Sequence, residues 1–408
     1  MRKLCFLFLV ASMVATVSFA QVQLAELTPS TRANNDWFGI AVAATDSTVV
    51  VADFDPNIEQ FGSVDVYVKL PGGWTNATQN AKLVPSDNGI GFGTSVAILG
   101  NIVVVGAANT SNFSKQAETP GAVYVFQKPA GGWSGVLTET LKITASDGQN
   151  GDAFGNSVAI GANGTIVAGA FFANNFAGRV YVFTPNGSSY SQAAELTATD
   201  GGLLSYLGCS VAISGSTVIA GSDGQGNFAG AVYVFVEPSG GWTNMTETAE
   251  LTAAQTGNLG FSVAIEGNTV VAGSPGAFGG FGAAFVYLEP PSGWISTSSY
   301  AAALAEPRAG TGLSFAQSVG IGTGHSGTAV VVGAPGTNVG SNLEQGAAYV
   351  YLMPAGGWRN MRQANAQLLA SDGQAFDTMG ASVATAGNNV VAGAPASNAP
   401  GAAYVFGP

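Results

Sequence analysis

The fold is decided by residues 92–126, where three short runs typical of β-strands follow one another. The first run is FGTSVAI at residues 92–98, the second is IVVVG at residues 102–106, and the third is AVYVF at residues 122–126. The second run is apolar throughout, as expected for a strand buried on both faces, whereas the third run alternates. Because glycine-containing segments separate the runs, this stretch predicts one antiparallel unit.

The same runs recur along the chain at a period of about 55 residues. The first motif, Gly-x-Ser-Val-Ala-Ile or a variant, begins at Gly39, Gly93, Gly155, Gly208, Gly260, Ala316 and Gly380. The second motif, Val-Val-x-Gly-Ala/Ser-Pro, centres on Gly106, Gly169, Gly221, Gly273, Gly333 and Gly393, with a degraded copy at Val51-Ala52-Asp53. The third motif places an aromatic residue at Tyr67, Tyr124, Tyr181, Tyr233, Phe285, Tyr349 and Tyr404.

A fourth, more polar run ends each repeat, and a Gly-Trp turn precedes it at Trp74, Trp133, Trp242, Trp294 and Trp358. A tryptophan in this turn could stack on sugar rings, but its periodic placement favours packing of each hairpin against its neighbour. Seven repeats of four antiparallel strands predict an all-β fold, a seven-bladed β-propeller. The small residues of the first run suit strands that converge on a narrow axis.

The two ends of the chain complement each other. The last repeat stops after its third run at Phe406, whereas residues 22–27 match the fourth run of other repeats. We therefore expect the N-terminal strand to complete the last blade, which would remove a free sheet edge. Residues 21–408 are then one propeller domain, and residues 1–20 read as a signal peptide with Arg2 and Lys3 before an apolar run.

Charge and composition narrow the classes of partner. The net charge is −12 and only 9% of the residues are charged, so a nucleic-acid partner is not expected. No other apolar run is long enough for membrane insertion. Together with the signal peptide, this predicts a secreted protein, extracellular or periplasmic, with attachment at the cell surface as an alternative. Beyond residue 20 the only cysteine is Cys209, read as a small buried residue rather than a reactive thiol.

The motifs resemble FG-GAP repeats, the units of the propeller in integrin α-subunits and in many bacterial surface and secreted proteins. The first half of the resemblance is Phe38-Gly39, Phe92-Gly93 and Phe154-Gly155, and the second half is Gly333-Ala334-Pro335 and Gly393-Ala394-Pro395. Calcium-binding members of that family carry an aspartate-rich loop between the first and second strands. Here these connections are short turns, for example at residues 99–101, 214–216 and 266–268, so no cofactor is expected; calcium stays possible elsewhere, but these turns do not support it.

Strand parity divides the connections between two faces. The turn face holds the first-to-second turns and the third-to-fourth hairpins. The loop face holds the second-to-third loops and the connections from each fourth strand to the next blade. The loop face is the candidate ligand surface, because binding residues tend to lie on loops held by a rigid scaffold. Its ligand-binding candidates are Asp36, Asp87, Asp152, Asp200 and Asp377, with shaping of turns as the alternative reading.

Two further sites are weighed from residue type alone. Asp53, Asp55, Asn57 and Glu59 alternate in one loop and could present oxygens to a cation, although the central glycine of a calcium loop is absent. The single histidine, His325, lies in a Gly/Ser turn without a nucleophile motif nearby.

These observations favour a non-enzymatic binding module for an extracellular protein or glycan. The alternatives are a polysaccharide lyase or hydrolase that uses loop carboxylates, and a purely structural matrix component.

Overall fold

The computed structural model describes residues 21–31, 37–53, 62–87, 89–108, 119–306, 314–324, 327–395 and 400–408. The predicted signal peptide, Asp36, Asp55, Asn57, Glu59 and His325 lie outside these ranges. Within them, the three helical segments are single turns at Ala173–Phe176, Gln225–Phe228 and Ala277–Gly280, and no helix is long and apolar enough to cross a membrane.

Seven sheets form a propeller, as predicted, and each strand is numbered first to fourth from the axis outward. Blade 1 contains Val42–Ala44, Thr48–Asp53, Ser63–Val68 and Ala81–Leu83. Blade 2 contains Phe92–Leu99, Ile102–Ala107, Ala122–Gln127 and Leu141–Ile143. Blade 3 contains Phe154–Ile160, Ile166–Ala170, Arg179–Asn186 and Ser189–Thr197. Blade 4 contains Val211–Ser214, Thr217–Ser222, Ala231–Val236 and Ala249–Leu251.

The remaining three blades follow the same order. Blade 5 contains Ser262–Glu266, Thr269–Ser274, Ala283–Leu288 and Ala302–Leu304. Blade 6 contains Ser318–Gly324, Gly327–Ala334, Ala347–Leu352 and Ala366–Leu368. Blade 7 contains Ser382–Ala386, Asn389–Ala394, Ala402–Gly407 and, as its fourth strand, Val22–Thr28.

The N-terminal strand closes the ring, which confirms the predicted clasp. Val22–Thr28 pairs antiparallel with Ala402–Gly407, from Val22 opposite Gly407 to Leu27 opposite Ala403. The Leu27 side chain is fully buried and joins a cluster that spans blades 7 and 1. In the described residues, seven such apolar clusters each join two consecutive blades, so the core is divided evenly around the ring.

The serine of the first motif has a specific role between blades. Its hydroxyl donates a hydrogen bond to a backbone carbonyl at the start of the next blade's first strand. The pairs are Ser95 to Gly155, Ser157 to Gly208, Ser210 to Gly260, Ser262 to Ala316, Ser318 to Gly380 and Ser382 to Gly39, with oxygen–oxygen distances of 2.9, 2.8, 2.7, 3.3, 2.8 and 2.8 Å. From the sequence, we attributed the small residues of the first motif to crowding near the axis. The structure shows that each of these serines also bonds its blade to the next.

The glycine of the second motif makes room for the same carbonyl. A Cβ added to Gly221 would lie 1.9 Å from the Gly260 oxygen, far inside van der Waals contact. The same clash, at 1.9–2.2 Å, arises at Gly106, Gly169, Gly273, Gly333 and Gly393. Blade 1 departs from both motifs, with Ala41 at the serine position and Ala52 at the glycine position.

The tryptophan hairpins pack each blade against the preceding one, which confirms the structural interpretation. The five tryptophans are 5–9% exposed and each belongs to a cluster shared by two blades. After the tryptophan, the chain adds a short parallel strand to the preceding blade's rim, at Ala77–Thr78, Gly135–Leu137 and Met245–Thr246. Three of the blades therefore have five strands rather than the predicted four.

Candidate ligand-binding face

The connections of the loop face are tied to one another by backbone pairing. Parallel bridges join Gly121 to Phe154, Gly178 to Leu207, Gly230 to Leu259 and Gly346 to Met379. Each bridge links a second-to-third loop with the connection that enters the next blade. In the described residues, these four bridges fix neighbouring connections of the loop face relative to one another.

Three of the second-to-third loops hold a phenylalanine in the left-handed backbone region, one of them Phe278 with φ 52°. Phe176 has φ 66° and Phe228 has φ 65°, and each follows two residues with positive φ. This conformation costs a non-glycine residue about 1–2 kcal/mol. Hydrogen bonds from the connection that enters the next blade offset this cost. The Phe176 carbonyl accepts the Tyr206 N–H at 3.0 Å, and the Phe228 carbonyl accepts the Asn258 N–H at 2.7 Å.

Four loop aspartates accept a hydrogen bond from a tyrosine on the third strand of the blade that they precede. The oxygen–oxygen distances are 2.7 Å for Asp87 and Tyr124, 3.0 Å for Asp147 and Tyr181, 2.6 Å for Asp200 and Tyr233, and 3.0 Å for Asp372 and Tyr404. These bonds hold each of the four connections against the blade that follows it in the chain. Of the predicted ligand candidates, Asp87 and Asp200 belong to this group.

Asp87 is also paired with a lysine. Its Oδ2 lies 2.6 Å from the Lys142 Nζ, and both side chains are partly exposed. Burial acts to raise the pKa of Asp87, but the hydrogen bonds from Lys142 and Tyr124 outweigh it, and the pKa is lowered from its usual 3.8. Both of its oxygens therefore already have partners within the protein.

Blade 1 corrects our alignment of the third motif. Asp65, not Tyr67, lies at the position of Tyr124, because Asp65 faces Val51 as Tyr124 faces Val105. Asp65 is fully buried, with Oδ1 3.2 Å from the Lys82 Nζ. Burial raises the pKa of this carboxyl, and Lys82 opposes the rise. The sequence motif misled because blade 1 also has an aromatic residue two positions further on.

Two other candidates shape turns. Asp152 accepts the Gln149 backbone N–H at 2.8 Å, and Asp377 accepts the Gln374 backbone N–H at 2.6 Å. The candidates lie in separate connections, and Asp36 is outside the described residues. Of the proposed cation loop, only Asp53 is described, where it ends the second strand of blade 1. In the described part of the chain, no three His, Cys, Asp or Glu side chains are grouped to hold a metal ion.

Cys209 lies at the start of the first strand of blade 4, at the loop face. Its Sγ is 3.4 Å from the Gly260 carbonyl oxygen. Burial and the neighbouring Asp223 raise the pKa of the thiol well above its ordinary 9.0. A raised pKa means little thiolate at neutral pH, which is typical of an unreactive cysteine.

The residues that sequence reasoning missed are aromatic. Exposed phenylalanine side chains occur in the described residues only on the loop face, at Phe228, Phe261, Phe278, Phe281 and Phe376. Nearby, the rings of Phe176, Tyr206 and Phe228 form a row with centroid separations of 6.3 and 6.5 Å. The available signal was a phenylalanine within loops rich in Gly, Asn and Ala, where no buried strand requires it.

This arrangement defines a closed seven-bladed propeller whose described loops include exposed aromatic residues on one face. The sequence profile described as "FG-GAP repeat" matches residues 77–126, 137–183, 190–235 and 363–406. The chain is therefore an FG-GAP propeller. Each match begins near the fourth strand of one blade and ends on the third strand of the next, so the sequence repeat and the blade are shifted by one strand. The same shift makes the N-terminal strand the fourth strand of blade 7.

Other comparisons show the fold alone. No curated protein matches the sequence significantly. A crystal structure of the computationally designed Ika8 protein is 16% identical, with a TM-score of 0.50 over 95% of this chain and 99% of the designed chain.

Proposed function

We propose that this protein is an extracellular, non-enzymatic binding module whose loop face holds a protein or glycan ligand. The observation that carries the proposal is the loop face itself. Four pairs of its described connections are tied by backbone bridges, and it presents the exposed phenylalanines. A pre-formed surface loses little conformational entropy on binding, and exposed aromatic groups are the usual anchors of binding surfaces.

The location outside the cell rests on two observations. FG-GAP repeat proteins are typically extracellular. The first 20 residues also have the charge and apolar pattern of a signal peptide. Export could be tested by N-terminal sequencing of the protein from the culture medium or envelope, where we expect the chain to begin near Gln21.

The carboxylates of the loop face support binding better than catalysis. Asp87 and Asp200 each bond a tyrosine hydroxyl and a second side chain. Burial, and after it the charges of Asp200 and Glu247, raise the pKa of Glu250. A glycosidase needs a pair of carboxyl groups placed across the substrate, whereas Asp200 is the only carboxyl group among the residues that line the loop-face cavity beside it.

The experiment compares the two faces. Leu203 and Phe281 on the loop face are 74% and 71% exposed, and Leu70 and Leu288 on the turn face are 57% and 43% exposed. Each pair is replaced by aspartate in the mature chain, and capture of glycans and extracellular proteins is measured. We expect the loop-face variant to lose capture and the turn-face variant to keep it. The opposite pattern, or turnover of polysaccharide by the wild type, would overturn the proposal.

A further inference from the structure

A cavity of about 300 Å³ opens on the loop face of blade 4. Its polar wall is formed by Asp200, Ser205 and Gln225, and its apolar wall by Leu204 and Phe228. The volume is at the small end of the range for ligand pockets, which suits one ring-sized group rather than a helix or strand.

The polar wall is fixed in orientation before any ligand binds. Tyr233 donates to Asp200 Oδ1 and the Gln225 Nε2 donates to Asp200 Oδ2, both at 2.6 Å. The Gln225 Oε1 accepts the Ser205 hydroxyl at 2.6 Å. A carboxylate has about four acceptor positions, so Asp200 can still accept hydroxyl donors. Because the side chains are already held, a ligand would not have to order them.

The apolar wall is held outward at a cost in backbone energy. Phe228 is 49% exposed at φ 65°, and Leu204 is 39% exposed at φ 66°. The Phe228 ring lies beside Tyr206, with the ring centroids 6.5 Å apart. Residues in strained backbone conformations cluster at active sites and ligand sites. An aromatic face beside a carboxylate is the arrangement that suits a sugar, with apolar C–H groups on one side and hydroxyls around its edge.

Charge selects among sugars. The residues around the cavity include Asp200 but no lysine, arginine or histidine. The protein carries a net charge of −12. Uronate and sulfate groups would therefore be repelled, and an uncharged ring would not.

We propose that this cavity binds a neutral glycan, with one sugar ring stacked on Phe228 and its hydroxyls bonded to Asp200 and Gln225. This inference rests on the proposed function, whose loop face it narrows to one pocket and one ligand class.

The test uses the mature chain and a panel of oligosaccharides, measured by isothermal titration calorimetry. The panel contains neutral gluco-, manno-, galacto- and xylo-oligosaccharides, with uronate and sulfated ones as the charged set. The variants are Phe228→Ala and Gln225→Ala, and the control is Phe281→Ala, an exposed phenylalanine of the same face outside the cavity. Circular dichroism checks that all variants are folded.

We expect at least one neutral oligosaccharide to bind, about ten-fold more weakly to Phe228→Ala and unchanged to Phe281→Ala. Weaker binding to Gln225→Ala would support the polar contact. Binding of charged glycans only, or equal binding by Phe228→Ala and the wild type, would overturn the inference. If a ligand is lost by the Leu203/Phe281 aspartate variant but bound equally by the wild type, Phe228→Ala and Gln225→Ala, this inference fails while the proposed function stands, although Leu203 also lines the cavity. If no ligand depends on the loop face, both fail.

Discussion

Replacing Gly221 by alanine should weaken the contact between blades 4 and 5. The new Cβ would lie 1.9 Å from the Gly260 oxygen, where ordinary contact begins at 3.4 Å, so the blades must separate locally by about 1.5 Å. Overpacking of this kind costs about 1–3 kcal/mol. The Ser210 hydroxyl bond to the same carbonyl, 2.7 Å long, would also break at a cost of about 1 kcal/mol. We expect a loss of about 2–4 kcal/mol in the free energy of unfolding.

The assay is urea unfolding followed by tryptophan fluorescence, because the five hairpin tryptophans are buried between blades. Gly240→Ala is the matched control, since a Cβ there has no atom within 4 Å. It should change the free energy of unfolding by less than about 0.5 kcal/mol. Ser210→Ala should lose about 1 kcal/mol, the hydrogen-bond part alone. Equal unfolding midpoints for Gly221→Ala and Gly240→Ala would refute the reasoning.

Three other outcomes are expected. Leu27→Ala should lower the free energy of unfolding by about 2–5 kcal/mol, since its fully buried side chain closes the ring. Val22→Ala, at a 52% exposed position of the same strand, should change the melting temperature little. Equal melting temperatures for Leu27→Ala and Val22→Ala would contradict the role of Leu27 in closing the ring. Asp87 has a folded pKa below its unfolded 3.8, so it contributes stability at neutral pH that is lost as the pH falls through the folded value. Asp87→Asn should therefore flatten the acid side of a melting temperature against pH curve, and an unchanged curve would count against the lowered pKa. The Cys209 thiol, whose pKa is raised by burial, should react with iodoacetamide at pH 8 much more slowly in the native protein than in urea; similar rates would show that it is accessible.

The periodic features of this propeller were predictable from sequence. Seven copies of a strand motif fix the blade count, and the missing fourth run after Phe406 matches the extra run before residue 28. The packing role of the tryptophans was also correct. Each of these features repeats or complements another in the chain, and a repeat that cannot bury its own face must stack on its neighbours.

The candidate site could be predicted only in part. The alternating direction of the strands predicted which connections form the loop face, and with it the candidate Asp200. It could not predict that Asp200 is hydrogen-bonded to Tyr233 and Gln225. Aspartate is a common ligand group, but it also shapes turns, so residue type alone does not separate the two roles. Phe228 was missed because a lone aromatic residue in a loop has no periodic pattern to mark it as buried or exposed.

By itself, the sequence of this protein determined the number of blades, the strand that closes the ring and the face that carries the long loops, because all three follow from the repeat and its parity. Only the tertiary structure decided that Ser210 serves the carbonyl of Gly260, that Asp65 replaces a tyrosine, and that Phe228 stands exposed beside Asp200. These contacts join different connections or blades, and their geometry depends on backbone conformations that residue type does not specify.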